Sequence, residues 1–516
     1  MSQTFAKTES EVVSSSAFWI RFLLVSLLIF VTFFSAFFFS TQSIRLDESQ
    51  SIWQTSHSPA RILEIVAEDV HVPLYHLILH FWEFFFGTEI VLVRLLSFLF
   101  FLISIPLFYK LANLSLRQKA ALFAVALFAF SPFLNWYGNE ARMYSLFVFL
   151  TILNQYFFIR IYKDESENNP LIWTGYTLSF LLGIFTHYFF LFYIVVQAVF
   201  FLRYKKYFPK GSFQKFAIVS FAGAVALAPW LWYVQKLGIA GQVGPLLVAP
   251  STINIFNTFS QFIFGFQTDH VNSILLALWP IAVLLVFLAI QKNKKIPLDV
   301  MYYFFSFMLP IILVFLVSIF IRPIYLTRYL VFTLPSLYLF ISWMVASYPQ
   351  KLSNFLKMFL LVGMFCTLIV EARSASVVVK EDYKSATEYL NLSVKEEDLV
   401  IVSAPFTIYP IEYYYRANAP VTTLPIWNRY QSGLIPVFSQ NELEKDVTTL
   451  KAGHKTIWLV LSYDQGYESA IRLYFDTHFE RVGAKNFSHD LNIYEYKLRY
   501  DDDYLKYIET HPQIFQ

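Results

Sequence analysis

Between residues 18 and 370 the chain keeps returning to one pattern: an apolar stretch close to the roughly 20 residues that a membrane-spanning helix needs, closed by a short polar segment. Eleven such stretches run at about 18–40, 89–109, 118–135, 142–159, 170–187, 188–202, 214–235, 272–290, 300–321, 326–346 and 353–370. The fifth and sixth are nearly fused, and only His187 and its neighbours mark a turn between them. A chain of 516 residues that is 57% hydrophobic and only 15% charged is far more apolar than a soluble domain. The expectation is a polytopic α-helical membrane protein of about eleven transmembrane helices. The first stretch, Phe18 to Ser40, exceeds the roughly 7–15 apolar residues of a cleavable signal and lacks a clear small-residue cleavage site, so it is expected to stay as a span.

The lysines give the chain a direction. With the N-terminus in the cytoplasm, alternate loops carry Lys110, Arg117 and Lys119; Arg160 and Lys163; Arg203, Lys205, Lys206, Lys210 and Lys215; Lys292, Lys294 and Lys295; and Lys351 and Lys357. Each of these loops obeys the positive-inside rule, whereas the opposite membrane-proximal loops hold one lysine, Lys236. A cytoplasmic (inner) membrane protein follows as the expectation. Val72 to Gly87 is apolar but short, carries Glu83 and, if it crossed, would invert every later loop; it reads as a helix lying at the outer surface.

After Glu371 the composition turns mixed, with helical patterns at Tyr383–Leu390 and Glu468–Phe479 and strand patterns at Asp398–Ser403, Thr456–Ser462 and Asn492–Leu498. The expected organisation is therefore a transmembrane domain over 1–373, with its first outer loop at 41–88, and a C-terminal extracytoplasmic α/β domain over 374–516. The net charge of +3 comes from nearly balanced acids and bases with no basic stripe, which sets nucleic acid aside as a partner. The single cysteine, Cys366, rules out an intramolecular disulfide and a cysteine metal cluster.

Ionisable residues at a membrane cost a few kcal/mol each, so a cluster of them on one side points to a site. The first outer loop opens with Arg45, Leu46, Asp47 and Glu48 and later supplies Asp69 and His71 within the run Asp69 to Tyr75. The second offers Glu140, Arg142 and Tyr144, and Glu140 and Tyr144 share a helix face by their spacing of four. His187, Arg322, Tyr325 and Arg328 belong to later outer loops, and Arg94 lies at the outer end of the second span. Carboxylates, a histidine and arginines at one membrane face suit deprotonation of a hydroxyl nucleophile together with neutralisation of a departing phosphate. Arginine fits phosphate because its rigid fork donates two bonds and stays charged at low dielectric. Plainer readings stand beside these. Asp47 and Glu48 also suit the solvated end of a span, Glu140 and Arg142 a structural ion pair, Arg322 and Arg328 interfacial anchors, and His187 a packed turn. Asp69 and His71 are either a two-ligand start to a divalent-cation site or an acceptor-positioning pair.

At these residues the chain resembles the lipid-phosphate-sugar-dependent glycosyltransferases of the C-type membrane fold, in particular the branch holding protein O-mannosyltransferases and the aminoarabinose transferases of lipid A. The matching pieces are Leu46-Asp47-Glu48, the Asp-x-His-x-Pro-Leu-Tyr run of 69–75, Arg94 to Ser97, Glu-Ala-Arg-Met-Tyr at 140–144, Thr186 to Tyr188, Arg328 to Pro335, and Asp382 to Leu390. The resemblance implies inverting transfer of a sugar from a polyprenyl-phosphate donor to a protein, glycolipid or polysaccharide acceptor. By it Asp47 is the base, Glu48, Asp69 and His71 shape the acceptor side, and Arg94, Arg142, Tyr144, His187, Arg322, Tyr325 and Arg328 are candidates for the donor phosphate. Members often carry two prolines after the histidine, whereas Val72 takes the first of those places here. The competing class is a secondary transporter or flippase, which places its charges near the bilayer midplane.

Overall fold

The computed structural model describes residues 2–69, 71–163, 169–237, 247–293, 295–374, 380–431 and 433–498; Lys294 and residues 238–246 of the long outer loop lie outside them. The chain forms two compact units: Met1–Ser40, His71–Lys236 and Pro245–Val378 make the first, and Thr41–Val70, Leu237–Gly244 and Val379–Gln516 the second.

In the first unit each of the eleven expected stretches meets a helix, but not all are long enough to cross alone. Among the described residues eight helices qualify by length and hydropathy: Phe18–Phe37, Ile90–Ser115, Tyr144–Lys163, Ser212–Lys236, Asp269–Lys292, Leu298–Phe320, Thr327–Ala346 and Gln350–Arg373. Gln118–Phe130 and Pro132–Gly138 make a ninth, bent by 55°. The bend follows from Ser131-Pro132: Pro132 gives up its N–H, while the Ser131 hydroxyl accepts the Leu134 N–H at 3.1 Å and restarts the helix. The nearly fused fifth and sixth stretches become Pro170–Ile184 and Phe190–Tyr204, 15 residues each. At 1.5 Å per residue each is about 22 Å long, short of the roughly 30 Å hydrocarbon core. Gly183 lets them close into a hairpin, since a Cβ there would meet the Phe190 ring at 2.4 Å.

Leu74–Phe86 is a separate helix of 13 residues, too short to span. Its pattern decides its placement: Tyr75, His76, Leu79 and Glu83 recur at helical spacing and are buried, while Phe81, Phe84, Phe85 and Phe86 are exposed.

The second unit is built on a five-stranded sheet of β1 (Leu399–Ser403), β2 (Val421–Thr423), β3 (Thr456–Ser462), β4 (Glu480–Ser488) and β5 (Leu491–Lys497), in the order β2-β1-β3-β5-β4. β1 runs parallel to β2 and β3, and β5 is antiparallel to β3 and β4. Alternation along β3 sorts the two faces. Ile457, Leu459 and Leu461 pack with Leu443, Val447, Ile471 and Phe475 of the helices Gln440–Lys451 and Glu468–His478. Trp458 and Val460 pack with Tyr383, Ala386 and Leu390 of the helix Tyr383–Ser393. Residues 41–70 of the first outer loop are part of this unit, whereas the rest of that loop, from His71, belongs to the first. Its helix Leu46–Thr55 lies against Ile408–Tyr414, with Trp53 and Tyr409 ring centroids 5.1 Å apart. Tyr414 accepts the Ile44 N–H at 2.9 Å, and Ser43 Oγ accepts the Lys384 N–H at 3.1 Å.

Candidate functional site

Two polar turns are tied together in the first unit. The Leu74 N–H donates to Phe185 O at 3.1 Å, and the Tyr188 hydroxyl donates to His71 O at 3.2 Å and accepts from Trp230 Nε1 at 2.9 Å. These bonds fix His71, just ahead of Pro73, beside the His187 turn. Arg142 Nη2 lies 3.0 Å from His71 Nε2. A guanidinium only donates, so His71 Nε2 accepts and its ring proton sits on Nδ1. Ser97 adds a staple, donating to Arg142 O at 3.0 Å and bonding the Tyr75 hydroxyl at 2.8 Å. Arg94, one helical turn before Ser97 on Ile90–Ser115, is buried.

His187 stands flat against Phe147, with centroids 4.9 Å apart, and 5.2 Å from the Tyr329 ring. Its Nδ1 accepts the Phe189 N–H at 3.1 Å, so the neutral ring carries its proton on Nε2. Burial, together with the Arg142 and Arg328 charges, lowers its pKa to about 3. Arg328, on the 3₁₀ turn Thr327–Thr333, has its guanidinium 5.6 Å from the Tyr329 ring centroid. Tyr144 is buried against Tyr137 at 4.8 Å, its ring 6.4 Å from that of His187. His71, Arg142, His187 and Arg328 thus form one electrostatic cluster with Tyr144 beside it. The Tyr325 hydroxyl bonds Thr258 Oγ1 at 2.8 Å on the helix Thr252–Phe264, and Arg322 is exposed past the end of Leu298–Phe320.

Sequence reading missed His76 in this cluster. It is buried, its ring stacked 6.1 Å from that of His71, and burial, followed by the Arg142 charge, lowers its pKa. The signal was available, because His76 directly follows the Asp69–Tyr75 run and lies on the buried stripe of its helix.

In the second unit Asp47 occupies the first turn of Leu46–Thr55, half-buried, where the helix N-terminus favours negative charge. Glu48 is fully buried, and its Oε2 accepts the Arg45 N–H at 2.9 Å, so this carboxylate caps the helix. Asp69 Oδ2 accepts from Gln54 Nε2 at 2.9 Å and Gln50 Nε2 at 3.2 Å, joining the end of Pro59–Glu68 to the Asp47 helix. Two further residues escaped the sequence. Arg429 is buried with its guanidinium 5.3 Å from the Trp53 centroid, 5.0 Å from Tyr409 and 5.3 Å from Tyr430, paired with Glu412, which pins the Asp47 helix to the sheet domain. Glu381 feels the charges of Asp47, Arg45 and Asp490, and its pKa is raised chiefly by burial. No periodicity in the sequence announces either.

Among the described residues no group of three or more His, Cys, Asp or Glu is placed to hold a metal ion.

Residues 70–233 match the family described as dolichyl-phosphate-mannose-protein mannosyltransferase. No curated protein matches the chain. Among solved structures it is similar to ArnT from Cupriavidus metallidurans in the apo state, with a TM-score of 0.65 at 11% identity over 93% of this chain and 98% of that one. It is similar also to ArnT from the same organism bound to undecaprenyl phosphate, with a TM-score of 0.61 at 12% identity over 93% and 97%. Arabinofuranosyltransferase AftD from Mycobacteria gives a TM-score of 0.50 at 12% identity, over 94% of this chain and 42% of that one. The structural likeness shows the fold, that of the C-type membrane glycosyltransferases with a C-terminal sheet domain. With the family match it bears out the resemblance seen in the motifs and the enzyme class that resemblance implied, a multi-pass membrane glycosyltransferase.

Proposed function

We propose that this C-type membrane glycosyltransferase moves a sugar from a polyprenyl-phosphate donor to an acceptor hydroxyl on the extracytoplasmic side of the inner membrane, with inversion at the anomeric carbon. The acceptor is a protein, a glycolipid or a polysaccharide. One observation carries the reading: two permanent cations, Arg142 and Arg328, gathered with neutral His71 and His187 on turns between spans. Guanidinium forks and an Nε2–H are donors for phosphate oxygens. The lipid phosphates named for the matched family and present in one ArnT structure are anions of that chemistry.

The histidines of the cluster are poorly suited to be the base. His71 Nε2 already accepts from Arg142, and an imidazole with a pKa of about 3 holds a proton weakly. Glu48 is committed to its helix cap. That leaves the half-buried Asp47 as the carboxylate for the role. Asp47 takes the hydroxyl proton as the acceptor oxygen bonds to the anomeric carbon and the bond from that carbon to the phosphate oxygen breaks. The polyprenyl phosphate leaves with the bonding electrons, and the arginines stabilise the charge that develops on it.

The reading is tested with purified protein and a panel of radiolabelled polyprenyl-phosphate sugars. Asp47→Asn should lower sugar release by about 10²–10⁴-fold while polyprenyl phosphate still binds, as removal of a general base does. Arg142→Ala should weaken polyprenyl phosphate binding itself. Undiminished transfer by Asp47→Asn, or no donor consumed across the panel, sinks the proposal.

A further inference from the structure

The turn joining Phe190–Tyr204 to Ser212–Lys236 plays no part in the chemistry above, yet it is the most basic connection among the described residues of the first unit. It carries Arg203, Lys205, Lys206 and Lys210, all exposed, with Lys215 half-buried behind them. Residues 169–268 contain no Asp or Glu at all. Among the described residues none of these five cations is in an ion pair. A neighbouring connection differs: Lys163 pairs with Asp299, which also takes the Tyr162 hydroxyl at 2.7 Å. Satisfying the positive-inside rule needs only a count of charges, and an internally neutralised lysine serves it as well.

The turn is also held rigid. Phe208 is buried with its ring 4.0 Å from Phe201 and 5.2 Å from Tyr162, and it anchors the turn beneath the 3₁₀ segment Lys205–Tyr207. The cations lie against rings: Arg203 is 5.3 Å from the Tyr204 centroid, Lys206 is 5.0 Å from Tyr207, and Lys215 is 5.6 Å from Trp173. Tyr207 and Phe213 are half exposed, at 50% and 52%. Cations with no ion pair among the described residues, interleaved with outward aromatic rings at the end of a span, fit the boundary where lipid phosphates meet acyl chains.

We propose that this turn is a docking site for the headgroups of anionic phospholipids, the four exposed cations taking the phosphates and Tyr207 and Phe213 resting among the acyl chains. The assignment of the turn to the cytoplasmic leaflet rests on the topology above; headgroup recognition does not. Each cation near an anionic lipid surface is worth about fivefold in affinity, so removing three should cost about a hundredfold.

Full-length protein in a neutral detergent is mixed with phosphatidylglycerol, with phosphatidylcholine of the same chains, or with inorganic phosphate. Thermal unfolding and native mass spectrometry give stabilisation and lipid retention. Phosphatidylglycerol should be retained and should raise the unfolding temperature, an effect lost at high salt; phosphatidylcholine and free phosphate should not reproduce it. Lys205→Gln, Lys206→Gln and Lys210→Gln together should abolish the preference while leaving the unfolding temperature without lipid unchanged, because all three side chains are exposed. Equal retention of both lipids, an equal shift with inorganic phosphate, or a triple variant that keeps its phosphatidylglycerol overturns the proposal.

Discussion

Glu381 carries a half-buried carboxyl whose surroundings favour its protonated form: loss of solvent contributes most, Asp490 and Asp47 add to it, and Arg45 opposes them. Because the folded state binds this proton more tightly than the unfolded chain does, stability falls as pH rises from the ordinary glutamate range through the raised pKa. Glu381→Gln should therefore unfold at a higher temperature than the parent at pH 7. The gap should close as the pH drops towards 4, where both states of the parent are protonated; a gap independent of pH contradicts this. The residues that most shape the two clusters were unequally legible. Asp47, Asp69, His71, Arg142 and Arg328 stood out because charges beside apolar stretches are costly, which makes each one conspicuous. Glu381 and Arg429 belong to a domain of mixed composition, where a charge is ordinary and only its burial against Asp47 or Trp53 makes it notable.

Among the helices, the short hairpin Pro170–Ile184 and Phe190–Tyr204 depends on polar bonds deep in the first unit. Gln197 is their hub: Oε1 accepts from Tyr176, and Nε2 lies 2.8 Å from Asn154 Oδ1 and 3.1 Å from the Tyr193 and Tyr302 hydroxyls. All five side chains are buried. Gln197→Leu strands several of these groups at once, and each orphaned buried polar atom costs roughly 1–3 kcal/mol. Repairing within the cluster offsets part of this, so a loss of about 2 kcal/mol is expected, read as earlier thermal or denaturant unfolding in detergent. A variant as stable as the parent shows that the network does not hold the hairpin. Such hubs are invisible in a hydropathy profile, as one glutamine hardly lowers the mean of an apolar stretch. The short helix Leu74–Phe86 was legible, since its buried residues repeat at helical spacing. β2 and β4 were not: β2 has three residues, and β4 (Glu480–Ser488) has no residue fully buried to give it an apolar stripe.

For the molecule as a whole, the alternation of basic loops makes a prediction about sides. With Cys366 replaced by Ser, single cysteines introduced at 47 and 328 should react with an impermeant thiol reagent from outside, and one at 205 only after the membrane is opened. Reaction of 47 and 328 from opposite sides leaves them no common reaction and removes the basis for the proposed transfer. The sequence by itself determined that the chain is a multi-pass membrane protein, roughly where its helices lie, that an α/β domain follows, and which charged motifs deserve a role. Those properties follow from hydropathy, charge and local periodicity, all of which are written along the chain. Only the tertiary structure decided that the Tyr325 hydroxyl bonds Thr258, that the Glu48 carboxylate caps its own helix, that His71 accepts from Arg142, that burial holds His187 neutral, and that residues 41–70 of the first outer loop fold with the sheet domain. Each of these depends on burial and on partners distant in sequence, and the energy of a buried polar group is set by the neighbours that folding brings to it.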